Sequence, residues 1–188
     1  MTAVRSTQNA SDERMSMILV LVVAVIALLL GGMVKTAVQD QTRSVTQNGV
    51  SAEVPAGWLV QDGTGDLRLV ARNPQSLSTR YRVNVLPGGE LAAAAGNRNA
   101  DRAGLEQTYR ILDESPIVVN GRDGYKVSYA FVDDEGAGMP SVIEGVDYYF
   151  ADGSEIVVVS FEAEENDFTA GFSQFQQFRE SVVYQAGG

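Results

Sequence analysis

The chain has 188 residues, with 24 acidic and 14 basic side chains for a net charge of −10, and it contains neither cysteine nor histidine. Those two absences exclude disulfides, the usual ligands of structural zinc, iron–sulfur, haem and blue-copper centres, and any His-based catalytic triad. The acidic balance argues against binding to nucleic acid and against direct adhesion to anionic lipid, both of which require basic patches.

A polar tail, 1–14, precedes the run Met15 to Val34, which carries no charged residue over 20 positions. At about 1.5 Å of rise per residue such a helix reaches about 30 Å, one hydrocarbon thickness, so the run is expected to cross a membrane once. Its length and the Lys35 that would fall at a cleavage site favour a retained anchor over a cleaved signal peptide. Arg5 and Arg14 before the span balance Lys35 and Arg43 after it. Local charge therefore does not set orientation. The short tail, early span and large C-terminal domain instead suggest a cytoplasmic N-terminus and an extracytoplasmic or periplasmic domain at the plasma membrane. Ala24, Ala27 and Gly31 share one helical face, and Ala27-x-x-x-Gly31 is a small-residue pair that would let a second helix approach, although a lipid-facing role is the simpler reading. Residues 35–46 are expected to continue the helix as a polar stalk, leaving 47–188 as one globular domain.

From Asn48-Gly49 onward the texture is of short strands and turns. Alternating Val50, Ala52 and Val54 give a strand or hairpin that stops at Pro55-Ala56-Gly57-Trp58, and Leu67–Ala71 and Tyr81–Leu86 read as two more strands. The Ala-rich stretch Glu90 to Leu112 is predicted helical and divided near Gly96-Asn97, with Asp101 capping a second piece whose Leu105, Tyr109 and Leu112 form one face. Ile117–Val119, Tyr125–Val132, Val142–Phe150 and Ile156–Phe161 follow as strands of an antiparallel meander. A closing helix from about Asp167 to Ser181 aligns Phe168, Phe172, Phe175 and Phe178 with Val182 in a stripe suited to covering a sheet. The order of elements predicts an α+β domain, an α/β/α sandwich with a central antiparallel sheet, preceded by one transmembrane helix.

Several pieces resemble the PsbP-like family: Val54-Pro55-Ala56-Gly57-Trp58, Val119-Asn120-Gly121 with Gly124-Tyr125, Tyr149-Phe150-Ala151-Asp152-Gly153, and Asp167-Phe168 opening a helix that ends Phe178-Arg179-Glu180-Ser181. That fold belongs to an extrinsic photosystem II subunit and to a nuclear import factor that binds Ran. The resemblance implies a docking or assembly module with no reaction of its own. Without histidine a manganese-linked role does not carry over, and no residues match a Ran site.

Charge is segregated along the chain. Between Val127 and Phe178 there are eleven acidic residues and no basic one, whereas Arg68 to Lys126 holds nine basic and six acidic residues. This predicts one negative face, with Asp133, Asp134, Glu135, Glu162, Glu164, Glu165 and Asp167 as an acidic docking surface for a basic partner; a merely solubilising surface is the competing reading. Calcium is a weaker option because the acids lack the spaced pattern of a binding loop. Glu162 and Glu164 would share a strand face next to water, with nothing to separate their pKa values into an acid and a base. The expectation is therefore a protein that is not an enzyme and holds no cofactor or metal: a membrane-anchored accessory subunit that binds integral-membrane subunits of a larger complex, by family analogy a photosynthetic or respiratory electron-transfer complex. A stand-alone envelope domain that binds a small ligand or peptide is the alternative.

Overall fold

Both Asn-Gly pairs sit at hairpin turns in the computed structural model, which describes residues 17, 18, 20–28, 41–133 and 140–185. Asn48 and Gly49 have φ of 49° and 79°, and Asn120 and Gly121 have 52° and 76°. Two successive residues with positive φ match the right-handed twist of the flanking strands, and Asn and Gly tolerate that region best.

The chain divides into two units at Gln41/Thr42. In the first, residues 17, 18 and 20–28 are helical (α1), and the remainder of the expected span Met15 to Val34, including Gly31, lies outside the described residues. Among the described residues no helix is long and apolar enough to cross a membrane, so the anchor rests on the sequence alone. Residues 35–40 of the expected stalk also lie outside the described residues, whereas Thr42–Gln47 is not helical and forms the first strand.

Among its described residues the second unit contains ten strands and two helices: β1 (Thr42–Gln47), β2 (Val50–Pro55), β3 (Leu59–Asp62), β4 (Leu67–Asn73), β5 (Ser76–Pro87), α2 (Leu91–Leu105), β6 (Arg110–Val119), β7 (Arg122–Asp133), β8 (Ser141–Asp152), β9 (Glu155–Glu164), α3 (Glu165–Ser181) and β10 (Val183–Tyr184). Seven strands form one antiparallel sheet in the order β3-β4-β5-β9-β8-β7-β6, and β1-β2-β10 form a second, smaller one. Each face of the large sheet carries one helix, as the α/β/α reading requires. Alternation along β9 shows how: Val157, Val159 and Phe161 join Phe175 and Phe178 of α3 in one core. Ile156 and Val158 turn to the other side, where they meet Val127, Tyr129 and Tyr149 with Ala95 of α2. Period-2 side chains on strands buried on both faces give the continuous apolar runs seen in the sequence.

Several expectations need correction. The Ala-rich segment is a single helix that runs through Gly96-Asn97 and stops at Leu105, with Glu106 closing it through a bond from its N–H to the Arg102 carbonyl, 2.7 Å. Asp101 lies inside that helix and caps nothing. Tyr109 precedes a strand and Leu112 lies within it; Tyr109 is buried whereas Leu105 and Leu112 are exposed, so the three share no face. Strands β3 and β10 and the first half of β5 were not foreseen. β10 adds to β2, with Gln185 donating its N–H to the Gly49 carbonyl at 2.9 Å.

Candidate functional site

Sheet register places three rows of side chains on the face that α2 covers. Arg80, Glu162, Gly145 and Tyr129 lie side by side across β5, β9, β8 and β7, and one step along the strands Arg82, Ser160, Asp147 and Val127 do the same. Asn84, Val158, Tyr149 and Tyr125 form the third row. From above, α2 contributes Arg98 and Arg102, whose four-residue spacing puts both on the helix face that meets the sheet.

These residues form one charged network. Arg102 forks onto Asp147, with Nη1 donating to Oδ2 at 2.8 Å and Nη2 to Oδ1 at 3.3 Å, while Arg98 Nε and the Tyr149 hydroxyl donate to Oδ2 at 3.3 and 3.1 Å. Glu162 accepts from Arg80 Nε at 2.6 Å and from Arg82 Nη2. The Tyr129 hydroxyl lies 2.8 Å from Glu162 Oε1 and 3.4 Å from Asp147 Oδ1. A hydroxyl has one proton, so the shorter distance marks its acceptor as Glu162. Arg102 ties the two halves together: its guanidinium stands 4.2 Å over the Tyr129 ring and 3.8 Å from Glu162. Gly145 makes this possible, because a β-carbon there would sit 2.3 Å from the Tyr129 ring.

Both carboxylates are buried, at 0% and 2% exposure. Burial by itself would push the Asp147 carboxyl up, but Arg102 and Arg98 together with its hydrogen bonds outweigh it and hold the group at about 2. Glu162 is likewise driven up by burial and held below the usual carboxylate range by Arg82, Arg80 and Arg102. Burial, reinforced by the two carboxylates, pushes the Tyr129 hydroxyl well above its ordinary value. General acid–base chemistry by a carboxyl pair needs one member neutral near pH 7. Here both are anionic, saturated with donors and closed off by guanidinium groups. What this arrangement does is fix α2 on the sheet in one register.

The expected acidic docking surface is thereby divided. Glu162 leaves it, because β9 is central in the sheet and its even-numbered side chains point under α2. Asp134 and Glu135 lie outside the described residues, and Asp133 is half-buried at the end of β7. Glu164 is half-buried and accepts from the Ser78 hydroxyl at 3.1 Å. Glu165 and Asp167 are exposed in the first turn of α3, where the helix dipole favours negative charge. Beside that turn, on the face opposite α2, an open groove of about 360 Å³ runs between α3 and β7–β8, lined by Val146, Tyr148, Phe168, Phe172, Ser128 and Lys126. Ala24 and Ala27 are exposed on α1. Among the described residues no group of His, Cys, Asp or Glu is placed to hold a metal ion.

The network escaped sequence reasoning, although it had a signal. Asp147 stands between Val146 and the run Tyr148-Tyr149-Phe150, and Glu162 between Phe161 and Ala163, positions where a charge is tolerated only when paired. Arg80/Arg82 and Arg98/Arg102 carry the matching spacings of a strand and a helix face.

No family model and no curated protein matches the chain. Among solved structures it is similar to cyanobacterial PsbP (CyanoP) from Synechocystis sp. PCC 6803, with a TM-score of 0.57 and 15% identity over 77% of this chain and 92% of that one. It is also similar to the Ran-binding protein Mog1p of Saccharomyces cerevisiae, with a TM-score of 0.53 and 12% identity over 77% and 95% of the two chains. At these identities the likeness establishes a PsbP/Mog1-like fold.

Proposed function

We propose that this chain is a non-catalytic accessory module that binds a partner protein through the groove at the start of α3. The observation that carries this reading is the pairing of an apolar groove containing Phe168 and Phe172 with the exposed acids Glu165 and Asp167, while the domain's most strongly perturbed carboxylates are consumed internally. An apolar groove beside exposed acids, its lining cation Lys126 held by Asp113 at 3.0 Å, suits an amphipathic segment bearing basic residues, since the apolar contact supplies affinity and the charge orients the encounter. The fold supports the same reading, because Mog1p is named for binding Ran and the PsbP-like resemblance implies docking on a larger assembly.

The uncharged run Met15 to Val34 supports a single membrane anchor, with the domain on the extracytoplasmic side and integral-membrane subunits as partners. A photosynthetic or respiratory electron-transfer complex is the host that family analogy favours. To test this, a tagged full-length copy is recovered from gently solubilised membranes. It should bring down a fixed set of integral-membrane proteins, and fewer of them with Phe172→Ser or at raised salt. Recovery of the protein alone at wild-type yield would overturn the proposal and favour a stand-alone ligand-binding domain.

A further inference from the structure

At the far end of α3 from the groove, a second cavity of about 220 Å³ opens between the last helical turn, the β6–β7 turn and the ends of β8 and β9. Its floor is apolar, formed by Phe150, Val157 and Val159, and two arginines, Arg122 and Arg179, lie on its wall. We propose that this cavity binds a small organic carboxylate, the anionic group held by Arg122 and Arg179 and the short apolar body resting on Phe150 and the valines.

Arg179 is the principal reason. Its side chain is only 7% exposed, yet its hydrogen-bond partner is the half-exposed Glu180 beside it in sequence, reached from Nη2 at 3.3 Å. Its Nε–H is buried with no partner among the described residues. A guanidinium has five donors, and removing them from water is costly unless they are satisfied. The arginines of the network under α2 reach buried carboxylates, and Arg179 does not.

The geometry of the two cations narrows the ligand. Arg179 stacks 4.5 Å over the Tyr148 ring and Arg122 stands 5.1 Å from the Phe150 ring centre. Arg122 Nη2 already donates to the Ala151 carbonyl and stands 4.0 Å from Asp152, and Arg179 Nη2 is turned to Glu180. With the flat faces occupied, it is the in-plane N–H groups not so used that are left for binding, and such edges match the two oxygens of a carboxylate. Asp152 and Glu180 also line the cavity, each more than 40% exposed. Two acids balancing two arginines favour a single negative charge over a doubly charged phosphate. The volume lies below the about 300 to 1,000 Å³ usual for drug-sized ligands, so a compact body is required.

The test is calorimetric titration of the full-length protein in detergent with benzoate, benzyl alcohol and inorganic phosphate. Benzoate should bind saturably at one site, while the alcohol, of the same shape without charge, and phosphate, with charge but no apolar body, should bind at least tenfold more weakly. Arg122→Gln, at a side chain 47% exposed and so tolerant of change, should raise the benzoate Kd at least tenfold, as should Arg179→Gln if near-UV circular dichroism shows it folded. Arg110→Gln, outside the cavity, should leave binding unchanged. Absence of saturable benzoate binding, equal binding of the alcohol or of phosphate, or indifference to Arg122→Gln would each overturn the proposal.

Discussion

Gly145 shows how a single missing side chain organises the polar core. The Tyr129 ring occupies the space a β-carbon would need, and only from there does its hydroxyl reach Glu162. Gly145→Ala should therefore lower stability by about 1 to 3 kcal/mol through overpacking, read as a fall in the urea midpoint. Gly96→Ala, in open space within α2, should instead raise stability by about 0.5 to 1 kcal/mol. The carboxylates predict a pH dependence with a definite sign. The folded-state pKa of Asp147 is depressed to about 2. Its contribution, about 2 kcal/mol, is fully present above the unfolded value near 4 and is lost as pH falls toward 2. Glu162 acts in the same direction. Urea midpoints should be level from pH 7 to 5 and fall steeply below pH 4. Asp147→Asn should flatten that decline while costing about 3 to 5 kcal/mol at pH 7, because it leaves buried guanidinium groups without their counter-charge. A wild-type midpoint that does not move down to pH 3 would contradict the assignment of these groups.

Among the elements, the two helices differ in how openly the sequence displayed them. The phenylalanine stripe of α3 was legible because every member of it packs: Phe175 and Phe178 are fully buried and Phe168 and Phe172 lean on the same core. Phe175→Ala should cost about 3 to 5 kcal/mol in denaturant unfolding. The second half of the 90–112 segment was misread because Leu105, Tyr109 and Leu112 reproduce a helical spacing by coincidence. Pairing of β6 with β7 overrides that local pattern and draws residues from Arg110 onward into the sheet edge. Pro116 within β6 was the available clue, since proline is tolerated in a sheet chiefly at an edge, and β6 is the edge. Leu105 is 82% exposed, so Leu105→Ala should change stability by less than about 0.5 kcal/mol. A loss as large as that of a core leucine would restore the helical reading. Short β3 and β10 stayed invisible for a different reason. Four and two residues are too few to display an alternation, and both exist only because a neighbouring strand supplies the ladder.

Over the whole molecule, charge that is segregated in sequence is interleaved in space. The basic segment supplies β5 and α2, the acidic segment supplies β8 and β9, and antiparallel pairing sets one against the other, so that arginines 80, 82, 98 and 102 meet Asp147 and Glu162. A linear count of charges placed Glu162 on the negative face because it carries no information about which strands become neighbours. The division at Gln41/Thr42 leads to the final prediction, for the ten strands and two helices of the domain's described residues lie beyond it, whereas the uncharged run Met15 to Val34 lies before it. If that run is the anchor, the full chain should stay with membranes through both a high-salt and an alkaline carbonate wash, since neither weakens burial of about 20 apolar residues in hydrocarbon. A chain beginning at Thr42 should be recovered in the soluble fraction with an unchanged urea midpoint. Release of the full chain by carbonate would remove the anchor from the proposed function and leave the groove at α3 as the means by which the protein is held to its partner. Retention of the full chain, with the shortened one soluble but no longer bound to that partner, would show that tethering and docking act together, the anchor raising the effective concentration at which a weak groove contact operates.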